Sequence, residues 1–133
     1  MNYWFIAAGT LLLPAFFVHT FSGNRFYACL NPRRTGVAEA APYEAWMLGR
    51  AGFQLIGADL LLAGLFLLAE GFSLVGYDFP LTLFITLLYG VYCVVFLAAL
   101  ACERAAKRLY KRLPQWLLFL AVCLLATAGM LAQ

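Results

Sequence analysis

Three residues of this chain combine reactive chemistry with a position in or beside a long apolar segment. His19 is the single histidine among the 133 residues, and Arg50 and Asp59 follow in the next apolar segment. A histidine titrates near neutral pH and can therefore bind a ligand or transfer a proton. A charged side chain in an apolar segment is costly to desolvate unless it is paired. These three residues are therefore the first candidates for a functional site.

Motifs of catalysis and metal binding are missing from the sequence. It contains no Ser/His/Asp grouping, no glycine-rich phosphate loop and no pair of carboxylates on one helix face. A single histidine rules out haem ligation by two histidines of one chain. The four cysteines form no CxxC pair and no Cys/His cluster, so we expect reduced thiols rather than a metal site. These are Cys29, Cys93, Cys102 and Cys123. We therefore expect no enzyme, no metal and no cofactor.

The composition indicates a membrane protein. Hydrophobic residues make up 65% of the chain and charged residues 11%, with a mean hydropathy of +0.89. Soluble domains carry about 25% charged residues. A chain of this length cannot bury so much apolar surface in one core, because small domains have too little interior. Lipid is therefore the expected solvent.

Four apolar segments are long enough to cross a bilayer, which takes about 20 residues of helix. We predict helices at about 3–21, 46–69, 80–102 and 115–131. No basic residue precedes the first segment, so we do not expect a cleavable signal peptide. The predicted fold is an all-α bundle of four transmembrane helices that forms a single domain, 1–133.

The basic residues are confined to two of the three connections between these helices. Arg25, Arg33, Arg34 and Arg50 flank the first connection. The third connection holds the other five of the nine Lys and Arg: Arg104, Lys107, Arg108, Lys111 and Arg112. The positive-inside rule places both connections in the cytoplasm and both termini outside. The expected location is the cytoplasmic membrane, with several spans.

The third connection, ERAAKRLYKRLP, has two interpretations. Its helix-forming residues predict that it prolongs the third helix into the cytoplasm as far as Pro114. Its basic residues either bind anionic lipid headgroups, at about 1 kcal/mol each, or serve only to set the topology. Because this distribution accounts for the net charge of +3, we do not expect nucleic acid as a partner.

Polar residues gather at the predicted cytoplasmic ends of the first two helices. They are His19 and Asn24 on the first helix and Arg50 and Gln54 on the second. At about 100° per residue, Gln54 lies about 40° from Arg50 and so shares its face. If the two helices pack as an antiparallel hairpin, the four groups can meet. His19 then either ties the helices together or handles a ligand or proton, and Arg50 either joins the cluster or extends to the headgroups.

The second helix carries two further features. Gly57, Gly64 and Gly71 recur every seven residues, within about 60° of Arg50, and small residues let membrane helices approach closely. Asp59 lies about 180° from Arg50 and near the middle of the segment. Either another helix covers Asp59, or an oligomer partner covers it, or its carboxyl is protonated.

These motifs resemble those of a family of small bacterial four-helix membrane proteins of uncharacterised function. The family pattern has a His near the end of helix one followed by Gly-Glu, an Arg before an aromatic-His pair in helix two, and Pro-x-Trp at the start of helix four. The matching stretches are HTFSGN, RAGFQ and LPQW, with His19, Gly23, Arg50, Phe53, Pro114 and Trp116. The resemblance spans the chain and implies the inner membrane of a bacterium.

Two positions depart from that pattern. Asn24 stands in place of the Glu, and Gln54 in place of the second His. Both differences remove an ionisable group but keep hydrogen-bonding capacity. A cluster of this kind favours a neutral link between helices over a metal site.

Two classes of function fit these features. The first is association, as a homo-oligomer or as an accessory subunit of a membrane complex, which the glycine face and Asp59 favour. The second is a small proton-coupled transporter, or a binder of a hydrophobic or cationic ligand, in which Asp59 exchanges a proton for the substrate. Binding of a quinone or haem against the aromatic side chains is a third possibility.

Overall fold

The described part of the chain is built entirely from helices. A computed structural model describes residues 1–36, 40–103 and 107–133. The elements are α1 (Tyr3–Val18), a π-helical turn (His19–Gly23), α2 (Asn24–Cys29), a 3-10 turn (Pro32–Thr35), α3 (Ala40–Gly71), α4 (Phe79–Cys102), α5 (Lys107–Arg112) and α6 (Gln115–Leu131). The prediction of an all-α fold is confirmed.

Three helices have the length and apolarity to cross a membrane. They are the continuous helix Tyr3–Cys29 and the helices Ala41–Gly71 and Phe79–Cys102. The fourth, α6, is apolar but only 17 residues long. At about 1.5 Å per residue it spans about 26 Å, against about 30 Å of hydrocarbon. The structure therefore supports a membrane protein with three candidate spans and a shorter apolar helix.

Side-chain caps define where two of these helices begin. Asn2 Oδ1 accepts hydrogen bonds from the backbone amides of Trp4 and Phe5, at 3.1 and 3.3 Å. Asp78 Oδ1 accepts from the amide of Leu81 at 3.0 Å at the start of α4. Both caps satisfy amides that have no partner within the helix.

The first connection is shorter than the sequence indicated. The first helical segment continues through the π-helical turn to Cys29, where the prediction ended it near 21, and α3 begins at Ala40, where the prediction began near 46. Packing supports these polar extensions. The Tyr27 ring lies 4.9 Å from the Phe53 ring, and the Tyr27 carbonyl accepts a hydrogen bond from Trp46 Nε1 at 2.8 Å. Tertiary contacts thus extend both helices beyond their apolar segments.

The third connection contains a short helix, α5. α4 ends at Cys102, and Lys107, Arg108, Lys111 and Arg112 lie on α5. Arg104, the remaining basic residue of the expected headgroup contact, lies outside the described residues, so the predicted continuation of α4 is not described at that point.

The bundle is packed unevenly along its length. α1 lies between α3 and α6, and α6 also packs against α4. We call the end with both chain termini and the α3–α4 connection the terminal end, and the opposite end, with the basic connections, the basic end. Every buried residue of α1 lies at or before Leu12, and the π-helical turn and α2 contain none. The first helix is therefore packed at the terminal end and open at the basic end.

Candidate functional site

The π-helical turn brings His19 against α3. His19 Nε2 lies 2.8 Å from the backbone oxygen of Phe53, and the two rings stack with centroids 3.6 Å apart and planes 12° apart. A carbonyl oxygen only accepts hydrogen bonds, so Nε2 carries the proton and Nδ1 is left as an acceptor. His19 thus joins the end of α1 to α3.

Two glycines make room for this stacked pair. A Cβ at Gly57 would lie 3.4 Å from His19 Cδ2, and a Cβ at Gly23 would collide with the Phe53 ring. A π-helical turn also widens the helix by one residue, and such turns are common at functional sites. Small residues and a local change of helix type together allow the close approach.

Asn24 and Arg50 form a second contact between the same helices. Arg50 Nη2 donates a hydrogen bond to Asn24 Oδ1 at 3.0 Å, and the guanidinium lies 5.4 Å from the centre of the Trp46 ring. Gln54 is exposed and does not join them. The structure therefore brings His19, Asn24 and Arg50 to one helix pair and leaves Gln54 apart.

The glycines of α3 are used within the chain. A Cβ at Gly64 would lie 3.1 Å from Leu12 Cβ, and one at Gly71 would lie 2.8 Å from the backbone nitrogen of Ile6. Together with Gly57 beside His19, all three glycines face the first helix. The surface that the sequence favoured for association is thus occupied by α1.

Asp59 lies beside α4. Its carboxyl neighbours the hydroxyl of Tyr89 and is within electrostatic range of Tyr92. The pair forms no hydrogen bond of good geometry, since Asp59 Oδ2 and Tyr89 OH are both buried without a partner in the described part of the chain. Tyr89 of α4 thus lies beside Asp59, which is half-buried within the chain.

An aromatic cluster surrounds the same point. The rings of Tyr89, Tyr92 and Phe119 lie 5.6 to 6.0 Å apart, and Phe96 lies 6.3 Å from Phe119. Faces of aromatic rings attract cations. A carboxyl beside such rings is chemically suited to a cationic group or to a proton.

A cleft opens between α1, α3 and α6 at the basic end. Its cavity measures about 220 Å³ and is lined mostly by apolar side chains, with His19 and Gln115 as its polar groups. Phe119 lines its inner wall and also contacts Tyr89 and Tyr92. Phe119 therefore borders both the cleft and the aromatic cluster beside Asp59.

The sequence analysis missed Glu70, the most deeply buried charged side chain among the described residues. Its exposed fraction is 6%. Glu70 Oε1 accepts from the amide of Asp78, and Oε2 accepts from Thr82 Oγ1, both at 2.8 Å. An acidic residue directly after an apolar segment was the available signal, but the predicted helix ended at 69 and left Glu70 in a loop.

Asn2 connects three helices at the same end. Its backbone amide donates to Gly71 O and its side-chain amide donates to Gly129 O, both at 2.8 Å. Together with Glu70, it joins the helices at the terminal end of the bundle through hydrogen bonds.

No group of three or more His, Cys, Asp or Glu in the described ranges is arranged to hold a metal ion. Comparisons of the chain with protein-family models, curated proteins and solved structures find no match. The function is therefore argued from the geometry.

Proposed function

We propose that the chain is a four-span protein of a bacterial inner membrane, with both termini outside and the basic connections in the cytoplasm. Three helices of sufficient length support this. The 17 residues of α6 equal the lower limit of about 17 for a spanning helix. The absence of Lys and Arg from the second connection and both chain ends supports the orientation. On this view the chain resembles the small four-helix family described above.

Within that frame, the protein acts as a small proton-coupled carrier or binder of a lipophilic cation, and Asp59 is the exchanging group. The observation that carries this proposal is the buried, unpaired pair of Asp59 Oδ2 and Tyr89 OH. Buried polar atoms in native proteins are nearly always paired. An unpaired carboxyl inside an apolar bundle is accounted for by a ligand or proton that it binds in turn.

The exchange keeps the charge of the site constant. With a proton on Asp59, the carboxyl is neutral and tolerates the apolar surroundings. When a lipophilic cation enters, the proton leaves and the carboxylate pairs with the cation, while Tyr89, Tyr92 and Phe119 supply ring faces. One positive charge replaces another, so neither state leaves an isolated charge in the bundle.

The cleft at the basic end supplies the route to this site. His19 and Gln115 are the polar residues that line its wall. Rotation of the Phe119 ring connects the cleft to Asp59, because this ring lines the cavity on one side and the tyrosines on the other.

The test measures binding of tetraphenylphosphonium, a lipophilic cation, to the purified full chain in neutral detergent. We expect binding with release of a proton, recorded in a weakly buffered solution with a pH indicator. Asp59→Asn should weaken binding at least tenfold, which corresponds to about 1.4 kcal/mol, and abolish proton release. Glu44→Gln, which changes an exposed carboxyl of the same helix, is the matched control.

Equal binding by the wild type and Asp59→Asn would contradict the role of Asp59. Tyr89→Phe distinguishes the role of the Tyr89 hydroxyl from that of the Asp59 carboxyl, because it removes the hydroxyl and keeps the ring. We expect it to change the proton release more than the affinity. A wild type that neither binds the probe nor releases a proton would count against cation exchange altogether.

Association is the second candidate function, as a homo-oligomer or as an accessory subunit. Its support is the exposed apolar surface of the three long helices. Only 22 to 28% of the apolar stretch of each is buried within the chain. The mass of the detergent-extracted protein, measured by light scattering with correction for detergent, tests this candidate. A homogeneous monomer without co-purifying subunits would weigh against it.

A further inference from the structure

A second cavity at the basic end contains two arginines. It measures about 340 Å³, lies between the first helical segment and α3, and is lined by Thr20, Phe21, Asn24, Arg25, Ala28 and Arg50. Neither guanidinium has a carboxylate partner within the described part of the chain. No described carboxylate therefore compensates the positive charge of this cavity, which is distinct from the cleft beside His19.

This cavity lies where the π-helical turn leads into α2. The turn ends at Gly23, and α2 then presents Asn24 and Arg25 on the side where Arg50 lies on α3. Asn24 holds one nitrogen of the Arg50 guanidinium at 3.0 Å, and the Trp46 ring lies on another side at 5.4 Å. An arginine has five N–H donors, so the others remain available to a ligand. Arg50 is thus positioned before any ligand arrives.

We propose that this cavity binds a phosphate group, and that the headgroup of an anionic phospholipid supplies it. Guanidinium groups bind phosphate through two parallel hydrogen bonds, and this geometry favours Arg over Lys. Cavities of this kind between the ends of spanning helices bind acidic lipid headgroups. Phe21, which is 67% exposed beside the arginines, offers an apolar surface to the acyl chain.

An arginine that only extends to the headgroup layer would need neither the cavity nor the contact with Asn24. Here Arg50 is held by the Asn24 amide and lines the same open cavity as the exposed Arg25. A side chain that is positioned in advance loses less conformational freedom on binding than a mobile one. The site is independent of Asp59 and of the cation exchange proposed above.

The test uses the full chain in a neutral detergent and measures its melting temperature with added phosphatidylglycerol, phosphatidylcholine or inorganic phosphate. A ligand that binds the folded state raises the melting temperature in proportion to its occupancy. We expect phosphatidylglycerol to raise it more than phosphatidylcholine does. The phosphatidylglycerol concentration for half of the effect should increase at least tenfold in Arg25→Gln, whose side chain is exposed and whose loss spares the fold.

The control is Arg33→Gln, which removes the same charge at the same end of the molecule. Arg33 lies 3.8 Å over the Tyr43 ring and outside the cavity, so the response to phosphatidylglycerol should be retained. Arg50→Lys keeps the charge but loses the planar fork, and it should weaken the response as well.

Stabilisation by inorganic phosphate but by neither lipid, if Arg25→Gln abolishes it, would support a phosphate site and overturn the lipid as its source. Equal stabilisation by the two lipids, or equal losses in Arg25→Gln and Arg33→Gln, would overturn the site itself.

Discussion

Two acidic residues of α3 differ in the hydrogen bonds that their carboxyl groups accept. Glu70 has a hydrogen-bond donor for each of its oxygens, whereas Asp59 Oδ2 has none among the described residues. A paired buried carboxyl holds elements together, because the loss of one partner leaves the other unsatisfied. An unpaired one stabilises nothing and is the better candidate for binding. Glu70 therefore stabilises the fold, whereas Asp59 is the residue on which the proposed function rests.

This division predicts that Glu70 is sensitive to truncation but tolerant of an amide. Glu70→Ala should lower the free energy of unfolding by about 1–3 kcal/mol, since it leaves the Asp78 amide without its acceptor, although the Thr82 hydroxyl can still donate to Asp78 O. Glu70→Gln should cost less than about 1 kcal/mol, because its amide can donate to Thr82 Oγ1 while that hydroxyl donates to Asp78 O, 2.8 Å away.

Unfolding in mixed micelles with increasing dodecyl sulfate measures both changes. Glu44→Ala, an exposed carboxyl on the same helix, should stay within about 0.5 kcal/mol of the wild type. Equal losses in the Ala variants of Glu70 and Glu44 would show that the hydrogen bonds at the terminal end contribute little.

At the scale of elements, the first helix and α3 pack closely because their backbones lie in direct contact at Gly71. The backbone nitrogen of Ile6 and the oxygen of Asn2 would lie 2.8 and 3.1 Å from a Cβ at Gly71. Backbone atoms cannot move aside as the end of a flexible side chain can. The seven-residue glycine repeat of α3 therefore serves the interior of this chain rather than a partner.

Gly71→Ala should accordingly lower the free energy of unfolding by about 1–3 kcal/mol through overpacking. Gly52 lies on the same helix and has nothing within 4 Å of a Cβ. Gly52→Ala should be neutral or stabilise the protein by up to about 1 kcal/mol, since Ala is the better helix former. The same unfolding assay checks both, and a Gly71→Ala variant as stable as Gly52→Ala would exclude tight packing at that position.

The faces of α3 could be predicted from the sequence, because the angle between two residues on a helix depends only on their spacing along the chain. A rotation of about 100° per residue puts Gly57, Gly64 and Gly71 on one side and Asp59 on the other, and α1 and α4 lie on those respective sides. Which helix covers Asp59 depends on the order of the helices around the bundle, which no local pattern contains. The predicted ends failed for a related reason, since contacts of Tyr27 with Phe53 and Trp46 prolong helices into polar sequence.

At the scale of the whole molecule, the two ends of the bundle carry different groups. Hydrogen bonds of Asn2 and Glu70 join α1, α3, α4 and α6 at the terminal end, whereas the two cavities with His19 and with Arg25 lie at the basic end. A bundle anchored at one end can open at the other without breaking its core. Both proposed binding sites are therefore reached from the side of the basic connections.

This arrangement makes the orientation in the membrane decisive for function, and the native cysteines allow it to be measured. Cys29 and Cys102 are exposed at the basic end, while Cys93 is buried. Gly76 lies in the connection at the terminal end, with nothing within 4 Å of a Cβ. A membrane-impermeant maleimide applied to intact cells should leave the wild type unlabelled and should label Gly76→Cys.

Permeabilised cells should label the wild type as well, because the reagent then reaches Cys29 and Cys102. Replacement of both by Ser should remove most of this labelling, since thiolates in apolar surroundings form rarely and react slowly. Labelling of the wild type in intact cells, with no increase in Gly76→Cys, would reverse the orientation. Both cavities would then open to the outside, and a proton released from Asp59 on cation binding would leave on that side.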